Sequence, residues 1–331
     1  MHSAIANTRD VDATEVSQGE KSFMTKPARF NVDRKNGSGY RVLSSGRTIV
    51  RLTVLLAFVL SALSHAQPPG KTLIVVAHPD DEYYFAATVY RMAVQLKGTV
   101  DELVITNGEG GFHYSTLAEP FYGENLATEE SGRKELPAIR REETLKAGKV
   151  LGIRDHFFLE QKDQVFTTDR DSGLKRLWDS AYIQQTITDL IRGQHYQYVF
   201  AILPRATTHG HHQAATALAA RAIQSLPVVL RPVLLGFDTD PAEYVPLAGF
   251  DESQGWASKY VFAFDRNVHF GYRDALTFQI IVSWMIAEHK SQGLLQTMHN
   301  KDAEEFIWVH LADAPGTNTA IRLLFRQLVP G

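Results

Sequence analysis

The 331-residue sequence contains no cysteine. Disulfide bonds, thiolate nucleophiles and lipidated cysteines are therefore excluded, and a bound metal ion would need histidine, aspartate or glutamate ligands. An excess of positive charge is also missing, since the formal net charge is -3 at pH 7. A chain with this balance is not expected to bind nucleic acid through a global electrostatic attraction. The 44% of hydrophobic and 21% of charged residues are typical of a folded globular protein.

Long apolar runs are scarce as well. Residues 52–63 form an uncharged apolar run of 12 residues, which is short of the ~20 that a membrane-spanning helix needs. Arg47 and Arg51 precede this run, and small residues follow it at Ser64 and Ala66, which is the pattern of a signal-peptide cleavage site. The sequence therefore predicts a secretory signal peptide that is cleaved near Ala66.

This signal divides the chain into a leader, 1–66, and a body, 67–331. The body is expected to be exported, either to the periplasm or out of the cell, with no stable membrane span after processing. A retained signal anchor and a buried helix are the alternative interpretations of the apolar run. Translation from Met24 is an alternative start.

In the body, short apolar runs alternate with segments of helical periodicity. The pattern predicts strands within 72–78, 100–111, 155–161, 196–204, 227–237 and 259–265, and helices within 86–94, 137–153, 182–194, 211–226 and 272–298. A break of the last helix near Gly293 is an alternative. This alternation predicts a single α/β domain with a Rossmann-like, mostly parallel sheet flanked by helices. In such sheets, ligands bind beyond the carboxyl ends of the strands.

Ionisable residues come directly after the first predicted strand, at His78-Pro79-Asp80-Asp81-Glu82. Proline suits the first turn of a helix, and carboxylates favour the positive end of the helix dipole. The start of a helix alone would therefore explain residues 79–82. It does not explain His78. Because His78 and Asp81 lie three residues apart, an imidazole nitrogen and a carboxylate oxygen can bind one cation. A third protein ligand is then expected from the end of another strand.

A second cluster, His209-Gly210-His211-His212, follows the fourth predicted strand at the start of a helix. Histidine is often a surface residue, and a solvent-facing polar turn is the alternative interpretation. Because both clusters come at the carboxyl ends of strands, we expect them to meet at the same edge of the sheet. Together they predict a metal site.

With these motifs, the sequence resembles the PIG-L/LmbE-like family of zinc-dependent N-deacetylases. Residues 77–82 are similar to the first family signature, and 209–212 are similar to the second, in which a histidine precedes a zinc-binding histidine by three positions. The glycine-rich loop at 106–111 and the His-Lys-Ser-Gln element at 289–292 are further similarities. The family has Pro-Asp between the histidines of its second motif, where this chain has Gly210-His211.

The resemblance implies one Zn²⁺ that is bound by His78, Asp81 and His212, with His211 as a rival ligand. Zinc in such a site lowers the pKa of a water molecule and polarises an amide carbonyl. The resemblance also implies that Asp80 is the general base. His209 would stabilise the tetrahedral intermediate or protonate the leaving amine.

The resemblance further places Arg140, three residues before Glu143, in contact with the substrate. The alternative is an i,i+3 ion pair between these two residues, which is worth a few tenths of a kcal/mol. Asp163, which follows the third predicted strand, is expected to hydrogen-bond a sugar hydroxyl. Glu82 is expected to orient a ligand or to bind backbone N–H groups at the helix start.

These features predict an exported zinc hydrolase that removes an N-acyl group, expected to be N-acetyl, from an amino-sugar-containing small molecule or glycan. An amidase acting on a non-sugar amide and a non-catalytic carbohydrate-binding protein of the same fold are the alternatives. A phosphoesterase would more often need a second carboxylate cluster for a two-metal site, and the sequence shows none in register. The patterns leave the acylated amine and the oligomeric state open.

Overall fold

The computed structural model describes residues 68–256, 262–295, 301–310 and 317–329. The predicted leader and its cleavage site lie outside these ranges, so the boundary after Ala66 stays a prediction. Within the described ranges, no helix combines the length and the apolar character needed to cross a membrane.

Seven strands of the described part of the chain form one sheet, in the order β3-β2-β1-β4-β5-β9-β6, and β7 pairs with β8 apart from it. In chain order, the strands are β1 (Thr72–Val76), β2 (Val100–Thr106), β3 (His156–Gln161), β4 (Tyr198–Ile202), β5 (Val233–Asp238), β6 (Phe262–Asp265), β7 (His269–Phe270), β8 (Leu276–Thr277) and β9 (Glu304–Val309). Strands β1 to β5 run parallel, whereas β9 is antiparallel to β5 and β6. The predicted α/β fold with a mostly parallel sheet is therefore confirmed.

Helices cover both faces of this sheet. In chain order, they are α1 (Ala86–Tyr90), α2 (Glu119–Tyr122), α3 (Glu129–Leu151), α4 (Ser180–Gln194), α5 (Gly210–Gln224), α6 (Phe278–Glu288) and α7 (Thr317–Leu328). Buried apolar residues of α4 and α5 pack on one face, and those of α1, α3, α6 and α7 pack on the other. Because β1 lies inside the sheet and is covered on both faces, all five of its residues are buried, as its continuous apolar sequence predicts.

Helix α3 is longer at its amino end than the sequence predicts. It begins at Glu129 rather than near residue 137, and the side chain of Thr128 caps it by accepting a hydrogen bond from the N–H of Ser131. A proline lacks the N–H of a helix interior and therefore favours a helix start, but residue 137 lies inside this helix. The predicted end is confirmed, because Gly152 caps the helix with a φ of 79°.

The long helix predicted over 272–298 is wrong in its first part. Leu276–Thr277 is a short strand that pairs with His269–Phe270, and α6 starts only after it. Gly271, at a φ of 73°, takes part in the connection between the two strands. Beyond α6, a 3-10 turn spans Lys290–Gln292, and its last residue lines the pocket.

The direction in which successive strands are added to the sheet switches between β1 and β4, although the two strands are parallel. The chain builds outward from β1 through β2 to β3, and then returns to place β4 on the other side of β1. In doubly wound sheets, this switch point opens a crevice at the carboxyl ends of the strands. One predicted cluster follows β1 and the other follows β4, so both face the same crevice.

Candidate active site

The loop after β1 is organised around the carboxylate of Asp81. Its Oδ2 accepts hydrogen bonds from the backbone N–H of Ala77 at 3.0 Å and from that of His78 at 2.8 Å. These bonds fold the loop back on itself and hold the His78 side chain over the end of the strand. The other oxygen, Oδ1, is 3.0 Å from Nε2 of His212, which α5 supplies from the far side of the crevice.

Three donor atoms converge at this point. His78 Nδ1 lies 3.1 Å from His212 Nε2 and 3.5 Å from Asp81 Oδ2. Ligands that each lie about 2.1 Å from a tetrahedral cation are about 3.4 Å from one another, so this set has the spacing and the N/N/O chemistry of a metal site. His78, Asp81 and His212 therefore form a group that could hold a metal ion, as the sequence predicts.

A second group that could hold a metal ion shares one of these residues. It consists of His78, His209 and His211. His78 would have to use Nε2 here, because Nε2 is the atom 3.3 Å from Nδ1 of His211. The same Nε2 is 3.3 Å from the carboxylate of Asp163, which favours a protonated Nε2 and leaves Nδ1 as the metal-binding atom.

Asp80 stands beside this group in a strained backbone conformation. Its φ is 125°, which lies in a region that non-glycine residues rarely adopt and that costs about 1–3 kcal/mol. Its carboxylate lines the pocket and lies 2.9 Å from Nη2 of Arg140. The two adjacent aspartates have different partners, because the carboxylate of Asp80 pairs with Arg140 and that of Asp81 with His212.

Arg140 is buried and anchored to the loops that surround the pocket. It donates a hydrogen bond of 2.5 Å to the carbonyl of Gly108 and another to the carbonyl of Pro79. The i,i+3 ion pair with Glu143, one of the two alternatives, is not formed, because Glu143 accepts hydrogen bonds from Tyr122 and Ser291 instead. Arg140 lines the pocket, and its contact with a substrate stays a prediction.

His209 caps the helix that carries the second motif. Its Nδ1 accepts a hydrogen bond of 3.0 Å from the backbone N–H of His211, so the proton of the neutral ring lies on Nε2. Burial and the neighbouring histidines lower the pKa of His209 to about 2. A neutral ring that lines the pocket can donate a hydrogen bond, but it is a poor source of a proton.

The electrostatics of the group follow from how each charge is paired. Burial lowers the pKa of His78, but the carboxylates of Asp163 and Asp81 outweigh it and raise the pKa to about 10. Burial raises the pKa of both carboxylates, and the neighbouring histidines more than reverse this, so each pKa falls well below its usual range. Burial raises the pKa of Asp80 by more than Arg140 lowers it.

Glu82 supports the motif from behind. Its carboxylate accepts a hydrogen bond of 3.1 Å from the backbone N–H of Asp80, as expected for an acid at the helix start, and lies 2.6 Å from Nε2 of His289. Both Glu82 and His289 are buried. His289, the first residue of the His-Lys-Ser-Gln element, thus helps to position Asp80 through Glu82 and is not among the residues that line the pocket.

The donor group opens into a pocket of about 320 Å³. Gly110, Gly111 and Tyr114 from the glycine-rich loop after β2 and the residues that follow it line the pocket. Phe166 lines the pocket too, and its ring lies edge-on to that of His209 at 5.2 Å between centroids. No signal in the sequence marks Phe166, because it follows β3 in a segment with no periodicity.

The structure brings the predicted site residues together. They line one pocket and its floor: His78, Asp80, Asp81, Arg140, Asp163, His209 and His212. Their roles stay predictions. The sequence did not foresee that Asp163 contacts His78, since no spacing rule links two loops that are 85 residues apart in the chain.

Comparison with known proteins agrees with this geometry. The sequence model of the family described as PIG-L, GlcNAc-PI de-N-acetylase, matches residues 73–223. Over these residues, the chain is similar to the PIG-L family. The resemblance inferred from the motifs is therefore confirmed, and the match covers both histidine clusters, Asp80, Arg140 and Asp163.

Two curated relatives share this segment. A probable N-acetyl-alpha-D-glucosaminyl L-malate deacetylase 2 from Bacillus anthracis is 29% identical over 160 residues, and a protein of the same name from Bacillus cereus is 25% identical over 162 residues. The matches cover 48% and 49% of this chain. The chain spans only 62% and 64% of the lengths of these relatives.

Among solved structures, an N,N'-diacetylchitobiose deacetylase from Pyrococcus horikoshii, crystallised with an inhibitor, resembles the chain. It is 16% identical, and the match covers 85% of this chain and 100% of that one with a TM-score of 0.42. The assignment of the fold rests on the strand order described above rather than on this likeness.

Proposed function

We propose that the protein is a zinc-dependent hydrolase that removes an N-acyl group, in the first instance N-acetyl, from an amino-sugar-containing substrate. One observation carries the proposal: Nδ1 of His78 and Nε2 of His212 lie 3.1 Å apart in one pocket, and the two oxygens of Asp81 lie 3.5 Å from the first and 3.0 Å from the second, beside the carboxylate of Asp80. The PIG-L match and the names of the two Bacillus relatives support the deacetylase chemistry.

His78, Asp81 and His212 would hold the zinc ion. Two imidazole nitrogens and a carboxylate oxygen are ligands that zinc accepts. All three residues line the pocket, so a substrate can reach the ion. When bound, zinc would polarise an amide carbonyl and lower the pKa of a water molecule.

Asp80 would take the proton of the attacking water. Its carboxylate lines the same pocket as the donor atoms, and it is held from two sides, by Arg140 at 2.9 Å and by the bond from its own N–H to Glu82. A positioned general base typically contributes about 10²–10⁴-fold to the rate. The strained φ keeps the side chain in this place, apart from the carboxylate of Asp81.

His209 would stabilise the negative charge that develops on the carbonyl oxygen. Because Nδ1 accepts the backbone N–H of His211, the neutral ring carries its proton on Nε2 and acts as a hydrogen-bond donor. Between the two roles expected for this residue, the geometry favours oxyanion stabilisation over proton donation to the leaving amine.

We also propose that residues 1–66 direct export and are removed near Ala66. The apolar run at 52–63 and the small residues after it support this. N-terminal sequencing of the protein recovered outside the cytoplasm tests it. A mature chain that begins near Gln67 is expected, whereas a chain that still carries 52–63 in the membrane fraction would contradict it.

The deacetylase proposal is tested with purified protein, zinc and a panel of N-acetylated amino sugars, from free N-acetylglucosamine to lipid-linked and peptidoglycan-derived compounds. Free amine is measured as the product, and N-acetylated non-sugar amines are included in the same panel. Release of amine from a sugar substrate is expected. Turnover confined to non-sugar amides would favour the amidase alternative, and zinc binding without any turnover would overturn the hydrolase assignment.

A further inference from the structure

We propose that Asp163 is a positioning residue that holds the Nε2–H of His78 and so presents Nδ1 of that ring to the metal ion. In this chain it takes the place of the acidic residue that the PIG-L/LmbE-like second motif carries where His211 stands. The inference rests on the proposed function, because it takes His78 to be a metal ligand.

The carboxylate of Asp163 is fixed on all sides by groups of the chain itself. Oδ1 lies 3.3 Å from His78 Nε2 and 3.1 Å from His211 Nδ1, and it accepts a hydrogen bond of 2.8 Å from the N–H of Gln164. Oδ2 accepts one of 3.1 Å from the N–H of Gly110. Asp163 is only 5% exposed, so its lone pairs are committed to these partners rather than to solvent.

The two histidines can share this oxygen only in one arrangement of their protons. With both His78 Nε2 and His211 Nδ1 protonated, each ring donates to Asp163, and the 3.3 Å between the two nitrogens follows from their common acceptor. Nε2 of His211 then faces the hydroxyl of Ser172 at 3.5 Å as an acceptor. The ring of Trp178, with its centroid 4.7 Å away, holds His211 in place.

This arrangement assigns a different task to each nitrogen of His78. Nε2–H points to the carboxylate, and Nδ1, which would give up its proton to a bound metal ion, lies 3.1 Å from His212 Nε2. Metal-binding histidines commonly donate their other ring N–H to a carboxylate, which fixes the tautomer and the ring orientation and makes the ligand more basic. A cation between His78, His209 and His211 would need the Nε2 lone pair that this hydrogen bond uses.

The exchange of acid for histidine is consistent with bond geometry. Nδ1 of histidine and Oδ1 of aspartate are both three bonds from Cα, so an aspartate at 211 would place an oxygen near the point that His211 Nδ1 occupies. That point is 3.3 Å from His78 Nε2. An aspartate at 211 would therefore supply the carboxylate from the second motif. In this chain, the ring of His211 instead contacts the carboxylate of Asp163, which lies in the loop after β3.

The experiment measures zinc affinity of the metal-free full chain by competition with a chromogenic chelator. Asp163→Asn is expected to weaken zinc binding by about 10–100-fold, the usual effect of removing the group that orients a metal-binding histidine. Asp163→Asn combined with His211→Asp is expected to recover most of the affinity. Asp101→Asn is the matched control, because Asp101 is an equally buried, hydrogen-bonded carboxylate whose partners are Arg154 and Tyr196, and zinc affinity should not change.

The result that overturns the inference is wild-type zinc affinity in folded Asp163→Asn. Zinc binding by the wild type without amide hydrolysis would overturn the proposed function and leave this inference standing, and absence of zinc binding by the wild type would overturn both. If Asp163→Asn does not fold, long-range ¹H–¹⁵N spectra of the zinc-loaded wild type decide the matter. They should show His78 with a protonated Nε2 and a metal-bound Nδ1, and the opposite pattern would contradict the assignment.

Discussion

Two clusters of buried charge flank the same short segment, the 3-10 helix Asp81–Phe85 that follows β1. The pocket cluster, built around His78 and Asp81, holds the start of this segment. The ion pair of Arg266 and Glu305, both fully buried and 3.1 Å apart, holds its end. The comparison shows what separates a functional site from a structural one when both bury ionised groups.

Arg266 and Glu305 form their hydrogen bonds with groups of the chain itself. Glu305 accepts hydrogen bonds from the N–H groups of Ala87 and Thr88 at 2.7 and 2.9 Å, and so caps the start of α1. Arg266 donates to the carbonyl of Tyr83 at 2.8 Å. These hydrogen bonds stabilise the chain, and all of them go to groups of the chain rather than to a pocket.

The pocket cluster is arranged differently. Its nitrogen and oxygen atoms converge on one point at the edge of a 320 Å³ pocket, and its neighbour Asp80 is held in a strained conformation. Burial of charge is therefore common to both regions, whereas convergence toward an open volume and backbone strain are found at the pocket cluster.

The largest effect is expected from His212→Ala. Removal of one of the three proposed ligands should abolish stoichiometric zinc binding. The loss of activity should exceed the roughly 10²–10⁴-fold that loss of a general base causes. Elemental analysis and amine release are measured together. His195→Asn is the control, since His195 is an exposed residue at the end of α4; zinc retained at full stoichiometry in His212→Ala would show that the ligand set is wrong.

Glu305→Gln should instead affect folding. It leaves Arg266 buried without its counter-charge, which typically costs about 3–5 kcal/mol in the free energy of unfolding. Denaturant titration measures this loss. The folded fraction of the variant is expected to bind zinc with wild-type stoichiometry, and a variant that loses zinc without losing stability would erase the distinction between the two regions.

Arg140→Lys tests the link between the pocket and its frame. Lysine keeps the charge beside Asp80 but cannot donate in the planar arrangement that reaches Gly108 and Pro79 as well. Misplacement of the base by about 1 Å can cost about 10²-fold, so we expect a fall in kcat of that order with zinc content unchanged. An unchanged kcat would mean that Arg140 does not position Asp80.

The smallest effect is expected at Glu102, a buried carboxylate of β2 that belongs to neither region. Among the described residues, neither of its oxygens has a hydrogen-bond partner, and burial, followed by repulsion from Glu82 and Asp81, raises its pKa well above 4.5. His156 Nε2 is 3.4 Å away, and burial lowers the pKa of His156, so both groups are shifted toward their neutral forms.

The sign of the pH dependence follows from this shift. A carboxyl group whose pKa is raised on folding costs nothing below about pH 4.5, and it destabilises the folded state increasingly as the pH rises toward the raised value. Glu102→Gln removes this titration. The difference in the free energy of unfolding between variant and wild type should therefore grow in favour of the variant as the pH rises above 4.5, and a difference that is independent of pH would contradict the shift.

Sequence reasoning succeeded where a strong periodic signal ended in unusual residues. The apolar run of β1 followed by His78, and that of β4 followed by His209 and His212, located the site because parallel strands place their carboxyl ends at one edge. It failed where loop conformation decides the contact. The pairing of Asp163 with His78 joins two loops without periodicity, and the interior position of Pro137 depends on a helix cap nine residues upstream.

The most direct test of the account compares Asp80→Asn with Asp81→Asn, two identical changes in adjacent residues. Asp81 lies within 3.5 Å of both proposed histidine ligands, whereas Asp80 faces the pocket beside Arg140. Zinc content and kcat are measured side by side. Asp80→Asn is expected to keep zinc and lose about 10²–10⁴-fold in kcat, and Asp81→Asn is expected to lose zinc and to regain part of its activity in excess zinc. Loss of zinc by Asp80→Asn with retention by Asp81→Asn would reverse the two roles, and full activity of both variants would contradict the deacetylase mechanism.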